Sequence, residues 1–265
     1  MEVSIDPKEF VLGFDGLWNS GNREAILAAV DDSSIVELEP TPPPPIPARY
    51  VGREQVAGFV ATFLPGFHVD SRNFRREGEE IAWEWELRND AFRALGADPA
   101  SGSGRVTLGP GGKLRTIRVA IDEATLAKMA VSRFYQAVGE CFHSGEAAVL
   151  DDTLAPDFRH HLPGMPPDRE GLKQALLMFR AAFPDYEMTV DEIFAHGDLV
   201  ADRVTWQATH RGVLMGIPPT GTRVTVTETH LARVADGRVV ERWGNWDQMG
   251  LLQQLGAIPE AAPTR

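Results

Sequence analysis

The sequence predicts an α+β protein made of two similar halves, each with three helices packed on one side of a curved antiparallel sheet. Two observations lead to this prediction: five segments of the first half recur in the same order in the second, and helical patterns precede strand patterns in both halves. Hairpin signals add a third, at Pro218–Gly221 and at Ala235–Gly237 between the last strand patterns. The chain is therefore predicted to be a tandem duplication.

The first helices of the two halves follow the same plan. Residues 7–30 show apolar positions at a helical spacing, and residues 126–150 repeat it. A Ser-Gly pair ends the helix in each half, and a second short helix is predicted to begin near Asn22. The apolar positions are Phe10, Phe14, Leu17 and Trp18 in the first half and Phe134, Val138, Cys141 and Phe142 in the second.

The third helix and the strands also recur. Residues 52–67 and 168–183 both carry Arg-Glu and then an apolar stripe that ends in paired phenylalanines. The strand pattern of residues 81–89 corresponds to residues 199–210, and residues 116–126 correspond to residues 241–251. The linker is predicted near residues 123–131, which lack glycine and proline and favour a helix, so we expect the halves to dock directly. A proline run, Pro42–Pro45, is predicted to form a surface loop in polyproline conformation.

Composition narrows the class of protein. The chain has 265 residues, 43% of them hydrophobic, and no apolar run near the roughly 20 residues that cross a bilayer. A formal net charge of -12 disfavours nucleic-acid binding, and the acidic N-terminal segment lacks the pattern of a secretory signal. We therefore expect a cytoplasmic protein that binds a small hydrophobic molecule, and neither a membrane nor nucleic acid.

Sequence motifs exclude several chemistries. The single cysteine, Cys141, excludes an intrachain disulfide, and its place on the apolar stripe of a helix predicts an inert buried thiol. No Gly-x-Ser-x-Gly nucleophile motif, phosphate-binding loop or dinucleotide-binding glycine pattern is present. The histidines show no helical metal-ligand spacing, so we expect neither a metal nor another cofactor.

Titratable and aromatic side chains cluster in the C-terminal strand patterns. Trp206 and His210 share one parity along one strand, whereas Trp243, Asn245 and Asp247 share one parity along another. Each set therefore faces one side of the sheet. We predict that the two sets line one concavity that contains a carboxylate, an imidazole and two indoles.

Further residues are candidates for the wall of this concavity. His230 lies in mid-strand on a polar face that faces either the pocket or the solvent. Phe142, Met178 and Phe183 are predicted to be core and wall residues, which also makes them candidates for contact with a ligand.

The second half resembles a known family. Residues 131–259 are similar to the SnoaL-like polyketide cyclases and ester cyclases of the nuclear-transport-factor-like superfamily, through THRGVLMGIPPTGTRV, RVADGRVVERW and WDQMGLLQQLG. The resemblance implies a cystatin-like, cone-shaped α+β barrel around a hydrophobic pocket. We expect two such barrels in tandem: residues 1–125 as a diverged copy with a structural or regulatory role, and residues 126–265 with the active or ligand pocket.

The resemblance also implies a chemistry. Such cyclases use an acidic residue for cofactor-free acid/base catalysis on a hydrophobic, polyketide-like carbonyl compound, as in an intramolecular aldol closure. This implies Asp247 as the general acid or base, with His210 and His161 orienting or polarising the substrate oxygen. His161 comes from the pair His160-His161, of which only one side chain can face inward.

Two alternatives to this assignment stay open. Many members of the family carry an acidic residue after the tryptophan and a histidine before it, where this chain has Gly244 and Arg242. A binding protein without catalytic activity fits these departures, and an epoxide-opening enzyme would use the same residues. Asp247 is also placed to cap the helix that follows it. For assembly, we expect an intrachain pseudo-dimer, with a homodimer of tandems as the alternative.

Overall fold

The computed structural model describes residues 5–41 and 47–259. The chain divides into two compact units, Met1–Leu126 (unit 1) and Ala127–Arg265 (unit 2). The boundary lies inside a helix, so the predicted linker is helical. The predicted polyproline loop at Pro42–Pro45 lies outside the described residues. None of the helices within the described ranges is long and apolar enough to cross a membrane.

Unit 1 begins with two helices and then alternates strands with further helices. Its described helices are α1 (Pro7–Asn19), α2 (Arg23–Ala28), α3 (Gly52–Phe63) and α4 (Asp90–Ala94). Its described strands are β1 (Ile35–Glu39), β2 (Arg49–Val51), β3 (His68–Glu77), β4 (Glu80–Arg88), β5 (Ala100–Leu108) and β6 (Leu114–Ile121). They form one sheet in the order β2-β1-β6-β5-β4-β3.

Local sequence explains the first helices of unit 1. Asp6 caps α1 by accepting a hydrogen bond from the Glu9 backbone N–H at 2.9 Å, and Asn22 caps α2 by accepting from the Ala25 N–H at 3.0 Å. The second short helix predicted near Asn22 is therefore confirmed. The apolar side of α1, which includes Val11 and Trp18, is buried.

Unit 2 starts within the helix that crosses the boundary. Its described helices are α5 (Glu123–Ser144), α6 (Arg169–Ala182) and α7 (Gln248–Gln254), with a 3₁₀ segment at Ala147–Asp152. Its described strands are β7 (Leu154–His161), β8 (Glu187–His196), β9 (Leu199–Thr209), β10 (Arg223–Ala235) and β11 (Arg238–Trp246). They form one sheet in the order β7-β11-β10-β9-β8.

The structure corrects two details of the predicted fold. Both sheets are mixed, because β1 pairs with β6 in parallel and β7 pairs with β11 in parallel. Side chains alternate in the same way along parallel and antiparallel strands, so the pattern identifies faces and leaves strand direction open. The three helices do not all come before the strands, because β1 and β2 precede α3 and β7 precedes α6. Unit 2 has a further helix, α7, after its last strand, and its segment that corresponds to α2 is the 3₁₀ segment.

The turn between β10 and β11 confirms the predicted hairpin. Asp236 and Gly237 have φ of 50° and 70°, as the central residues of a type I′ turn require. Along β9 the inward parity is buried throughout. These inward residues are Val200, Asp202, Val204, Trp206 and Ala208.

Candidate functional site

A cavity that opens to solvent lies in unit 2, with about 620 Å³ of empty space when the solvent at its mouth is included. Helix α5 contributes one side of its wall, because Phe134, Val138 and Phe142 repeat at four-residue intervals and lie on one helical face. Its lining is mainly apolar and aromatic, which is typical of a small-molecule site. The other lining residues are Tyr135, His160, Leu162, Met165, Leu172, Leu176, Phe179, Tyr186, Met188, Trp206, Glu228, Arg242 and Trp246.

A buried polar cluster adjoins this cavity. Strand register places His230 of β10 opposite Asp202 of β9, and His230 Nδ1 lies 2.9 Å from Asp202 Oδ1. The Tyr135 hydroxyl of α5 donates to the same carboxylate oxygen at 2.5 Å and lies 3.2 Å from His230 Nδ1. Three elements therefore converge on one hydrogen-bonded triad.

Glu228 extends the cluster to the cavity wall. Its Oε1 accepts a hydrogen bond from Trp206 Nε1 at 2.8 Å, and its Oε2 lies 3.1 Å from His230 Nε2. The imidazole of His230 thus stands between two carboxylates, with one ring nitrogen toward each.

Arg242 supplies the positive charge of the cluster. Its Nη2 donates to the Tyr135 hydroxyl at 2.9 Å, and its guanidinium lies 5.2 Å from the centroid of the Phe134 ring. Only 6% of the residue is exposed. Although burial opposes its charge, Tyr135 and the carboxylates of Asp202 and Glu228 together raise the pKa of Arg242. It therefore stays charged inside the wall.

The surroundings keep Glu228 ionised and His160 neutral. Burial alone raises the pKa of Glu228, but His230, Arg242 and the Trp206 N–H together lower it below its usual range. Burial, followed by the positive charge of Arg242, lowers the pKa of His160 to about 4. Near neutral pH the cavity therefore presents a carboxylate and a neutral imidazole.

Gly244 makes room for the His230 ring. The two residues are opposite each other in the β10–β11 register, and a Cβ at position 244 would lie 2.4 Å from His230 Cδ2. It would also lie 2.9 Å from Leu162 Cδ1. An acidic side chain at this position is incompatible with the observed position of His230.

The predicted site residues are divided between two faces. Trp206 and Phe142 line the cavity, and Phe142 stacks on Tyr186 with ring centroids 3.9 Å apart. Phe183 is fully buried and packs edge-on against Trp206, one layer behind the cavity wall. His230 lies within the polar cluster, beneath Glu228.

Trp243, Asn245 and Asp247 share one face, as predicted, but that face is the outer one. Arg242 and Gly244 are buried on the opposite parity of β11, whereas Asn245 and Asp247 are exposed. Asp247 caps α7, accepting a hydrogen bond from the Gly250 N–H at 2.8 Å. The alternation identified the two faces correctly and could not say which of them faces the cavity.

The remaining predicted residues also lie away from the cavity. His161 is on the outer face, where it stacks on Trp243 and its Nε2 lies 2.8 Å from Glu241 Oε1. His160 is the inward member of the pair, and both its ring nitrogens are buried without a hydrogen-bond partner among the described residues. Met178 is 66% exposed on α6. Neither it nor His161 lines the cavity, because each lies on the solvent side of its own element.

His210 is buried, but it holds a loop instead of facing the cavity. Its Nδ1 accepts from the Thr220 backbone N–H at 3.3 Å, and its backbone N–H donates to the Thr222 carbonyl at 2.9 Å. Its ring packs against Phe183, and burial lowers its pKa. These contacts fix the β9–β10 connection.

Sequence reasoning missed Tyr135, Asp202 and the role of Arg242. The signal for Asp202 was available, because extending the parity of Trp206 back along β9 reaches a carboxylate between buried valines. Arg242 was visible only as a departure from a pattern. Tyr135 carries no such signal, since its partners come from strands far away in sequence.

Comparisons with known proteins place this unit among proteins that are named as cyclases. Residues 132–255 match the family model described as SnoaL-like polyketide cyclase. Nogalonic acid methyl ester cyclase of Streptomyces nogalater is 28% identical over 120 residues, which are 43% of this chain and 89% of that protein.

Solved structures of similar sequence cover about half of the chain. Streptomyces antibioticus IdmH, proposed to be a polyketide cyclase, is 40% identical and covers 47% of this chain and 97% of its own, with a TM-score of 0.42. Streptomyces galilaeus AclR, proposed to be a hydroxylase, is 29% identical and covers 50% of this chain and 84% of its own, with a TM-score of 0.45.

Proposed function

We propose that the C-terminal unit, whose residues 132–255 match the family model described as SnoaL-like polyketide cyclase, is a cofactor-independent acid/base enzyme. The proposed substrate is a hydrophobic carbonyl compound of the polyketide class, and the proposed reaction is a cyclisation or isomerisation in natural-product metabolism. One observation carries the proposal. Glu228 is the only carboxylate among the residues that line the cavity, and a buried cluster holds it in place.

Glu228 is the proposed general base. Its lowered pKa keeps the carboxylate ionised at neutral pH, ready to accept a proton from a carbon next to a carbonyl group. Trp206 and His230 each contact one oxygen of the Glu228 carboxylate and hold it in place. The base therefore loses little conformational freedom when it reacts. A water-poor apolar wall strengthens the electrostatic interactions within the site.

His160 and Arg242 are the proposed stabilisers of the enolate. A neutral imidazole offers one N–H donor, and the ring nitrogens of His160 have no competing partner among the described residues. Arg242 adds a fixed positive charge in the same wall. Negative charge that develops on the substrate oxygen would therefore meet a donor and a cation.

An aldol closure fits this arrangement with atoms and electrons in balance. Glu228 takes the α-proton, and the electron pair of the C–H bond becomes the enolate. The enolate carbon attacks a second carbonyl carbon of the same molecule, so one C–C bond forms and one C=O π bond breaks. The new alkoxide takes the proton back from Glu228, which restores the carboxylate without oxidant, metal or cofactor.

Substitution of the base tests the proposal without knowledge of the natural substrate. We expect the protein to accelerate deuterium uptake at the α-carbon of α-tetralone in heavy water, followed by proton NMR. Glu228→Gln keeps the hydrogen-bond acceptor for Trp206 but removes the base, so the enzymatic rate should fall about 100-fold or more. Glu241→Gln, on the outer face, is the matched control and should keep the wild-type rate. Equal rates for both variants would eliminate Glu228 as the base.

A binding protein without catalysis is the second candidate function. Two observations favour it: Gly244 stands where many family members carry an acid, and the Asp247 carboxylate is occupied by the N-terminus of α7. The same experiment separates the two functions. A binder would show α-tetralone-induced shifts in the fluorine NMR signals of fluorotryptophan-labelled Trp206 and Trp246, with deuterium uptake at the rate of buffer alone.

A further inference from the structure

Unit 1 contains its own cavity, which the proposed reaction does not use. It has about 740 Å³ of empty space when the solvent at its mouth is included. Eight of its fifteen lining residues are aromatic, and six of these eight lie on α1, α3 and β4. Asp15 is the only ionisable side chain among the lining residues. The others are Phe14, Trp18, Leu38, Phe59, Phe63, Phe67, Val69, Trp83, Trp85, Leu87, Phe92, Ile117, Val119 and Ile121.

Asp15 places one carboxyl group in this apolar surface. It is 6% exposed, and its Oδ1 accepts a hydrogen bond from Ser71 Oγ at 3.0 Å. Burial raises the pKa of Asp15, against the opposing effect of the Ser71 hydrogen bonds. A buried carboxyl group in an apolar wall is stabilised by a further hydrogen-bond donor.

Trp18 adds an unused donor beside this carboxyl group. It follows Asp15 by three residues on α1, so the two side chains lie on the same helical face. Trp18 is 7% exposed and lines the cavity, and its Nε1 is buried without a hydrogen-bond partner among the described residues. One face of α1 therefore presents an acceptor and an unpaired donor to the same cavity.

The floor of the cavity is built for flat rings. In the β4–β5 register Trp83 lies opposite Gly104 and Trp85 lies opposite Gly102. A Cβ at Gly104 would lie 2.3 Å from Trp83 Cζ2, and a Cβ at Gly102 would lie 2.5 Å from Trp85 Cζ2. The two glycines therefore let both indoles lie close against the sheet, which leaves the space above them open.

We propose that unit 1 binds an uncharged, flat aromatic compound that carries a phenolic hydroxyl group. The hydroxyl hydrogen is donated to the Asp15 carboxyl group, and the hydroxyl oxygen accepts from Trp18 Nε1. The rings contact Trp83, Trp85 and the surrounding phenylalanines. The proposal is for binding alone.

A pair of probes tests this proposal on the unmodified full chain. Three of the six tryptophans belong to unit 1, so fluorotryptophan labelling and fluorine NMR distinguish this cavity from that of unit 2. We expect β-naphthol to shift the signals of Trp18, Trp83 and Trp85. Methyl β-naphthyl ether, which has the same rings and no hydroxyl donor, should bind there about tenfold more weakly.

Two variants locate the hydrogen bond. Asp15→Leu should reduce β-naphthol affinity at the unit 1 signals to that of the ether and leave the affinity of the ether unchanged. Asp70→Leu makes the same change at a side chain that is 80% exposed on β3, and it should leave both affinities unchanged. Signals of unit 1 that stay unmoved by β-naphthol, or that respond equally to both probes, would overturn the proposal. Shifts confined to Trp206 and Trp246 would overturn it as well.

Discussion

Arg242 is the residue on which the polar cluster of unit 2 depends. It is a buried cation beside the carboxylates of Asp202 and Glu228, whose negative charges it opposes. Replacing a whole buried ion cluster by apolar residues is often tolerated, whereas removal of one member leaves its partners buried and uncompensated. The cluster is therefore sensitive to single substitutions.

Arg242→Met should destabilise unit 2 by about 3 kcal/mol or more, because two carboxylates lose their buried counter-charge. Arg203→Met is the matched control. Arg203 is about half exposed and lies 3.1 Å from Asp191 and 3.3 Å from Glu192 on the surface, so its loss should cost at most about 1 kcal/mol. Urea titrations followed through the fluorine signal of Trp206 measure both losses. Equal losses would show that the buried charge is not structurally important.

His160 should make unit 2 less stable as the pH falls. Its pKa is about 4 in the folded protein, against an ordinary value of 6.5. Between these values the unfolded chain holds a proton that the folded protein does not, so stability is lost as pH falls from 6.5 toward 4, by about 3 kcal/mol in total. His160→Gln should remove this part of the pH dependence, and His161→Gln, on the exposed face, should retain it. Unfolding free energies near neutral pH and near the lower limit of this window provide the measurement.

Residue-level prediction from the sequence was right about parity and wrong about direction. Trp206 shares a parity with Ala208 and His210, and all three are buried. The same alternation predicts one shared face for Trp243 and Asp247, but it does not say which face of the sheet is turned to the cavity. The opposite parity of β11 holds Arg242 and Gly244, a charged residue and a glycine, which do not form a typical apolar core face. Their burial is explained only by the side chains that they contact on other elements.

At the scale of elements, the β10–β11 hairpin, which contains Gly244, determines where the Glu228 carboxylate lies. The β10–β11 turn was predictable from Ala235–Gly237 because its two positive φ angles require such residues. That the carboxylate of the cavity is Glu228, on the strand next to Gly244, was not predictable. It depends on the His230 ring lying over Gly244, which is a contact between two strands.

Helix α7 provides a prediction about Asp247. Because its carboxylate caps α7 on the outer face, Asp247→Ala should lower the unfolding free energy of unit 2 by about 1 kcal/mol. Asp247→Asn, which keeps a capping oxygen, should restore most of that loss. Both variants should catalyse deuterium uptake by α-tetralone at the wild-type rate. A large loss of rate in Asp247→Asn with unchanged stability would return Asp247 to the role of acid or base.

At the scale of the whole molecule, the two sheets support the predicted duplication. Each has its first long strand parallel to its last and the remaining strands in antiparallel succession. With Trp85 matched to Trp206, the two registers place Ile81, Gly104 and Val106 of unit 1 where unit 2 has Asp202, Glu228 and His230. At these described positions unit 1 carries no counterpart of the polar cluster, and this difference underlies the proposal of acid/base chemistry for one cavity and of binding for the other.

This difference predicts that the cluster cannot be transferred one residue at a time. Ile81 is 1% exposed, and Ile81→Asp would place a carboxylate in unit 1 without the cation that the equivalent Asp202 has nearby, at a cost of more than about 4 kcal/mol. We expect the fluorine signals of Trp18, Trp83 and Trp85 to collapse to unfolded positions. Unit 2 has its own sheet and core, so the signals of Trp206 and Trp246 and the uptake of deuterium should persist. Ile81→Val, which costs only about 1 kcal/mol, is the control and should leave all signals in place. Loss of the unit 2 signals together with those of unit 1 would mean that the two units fold as one.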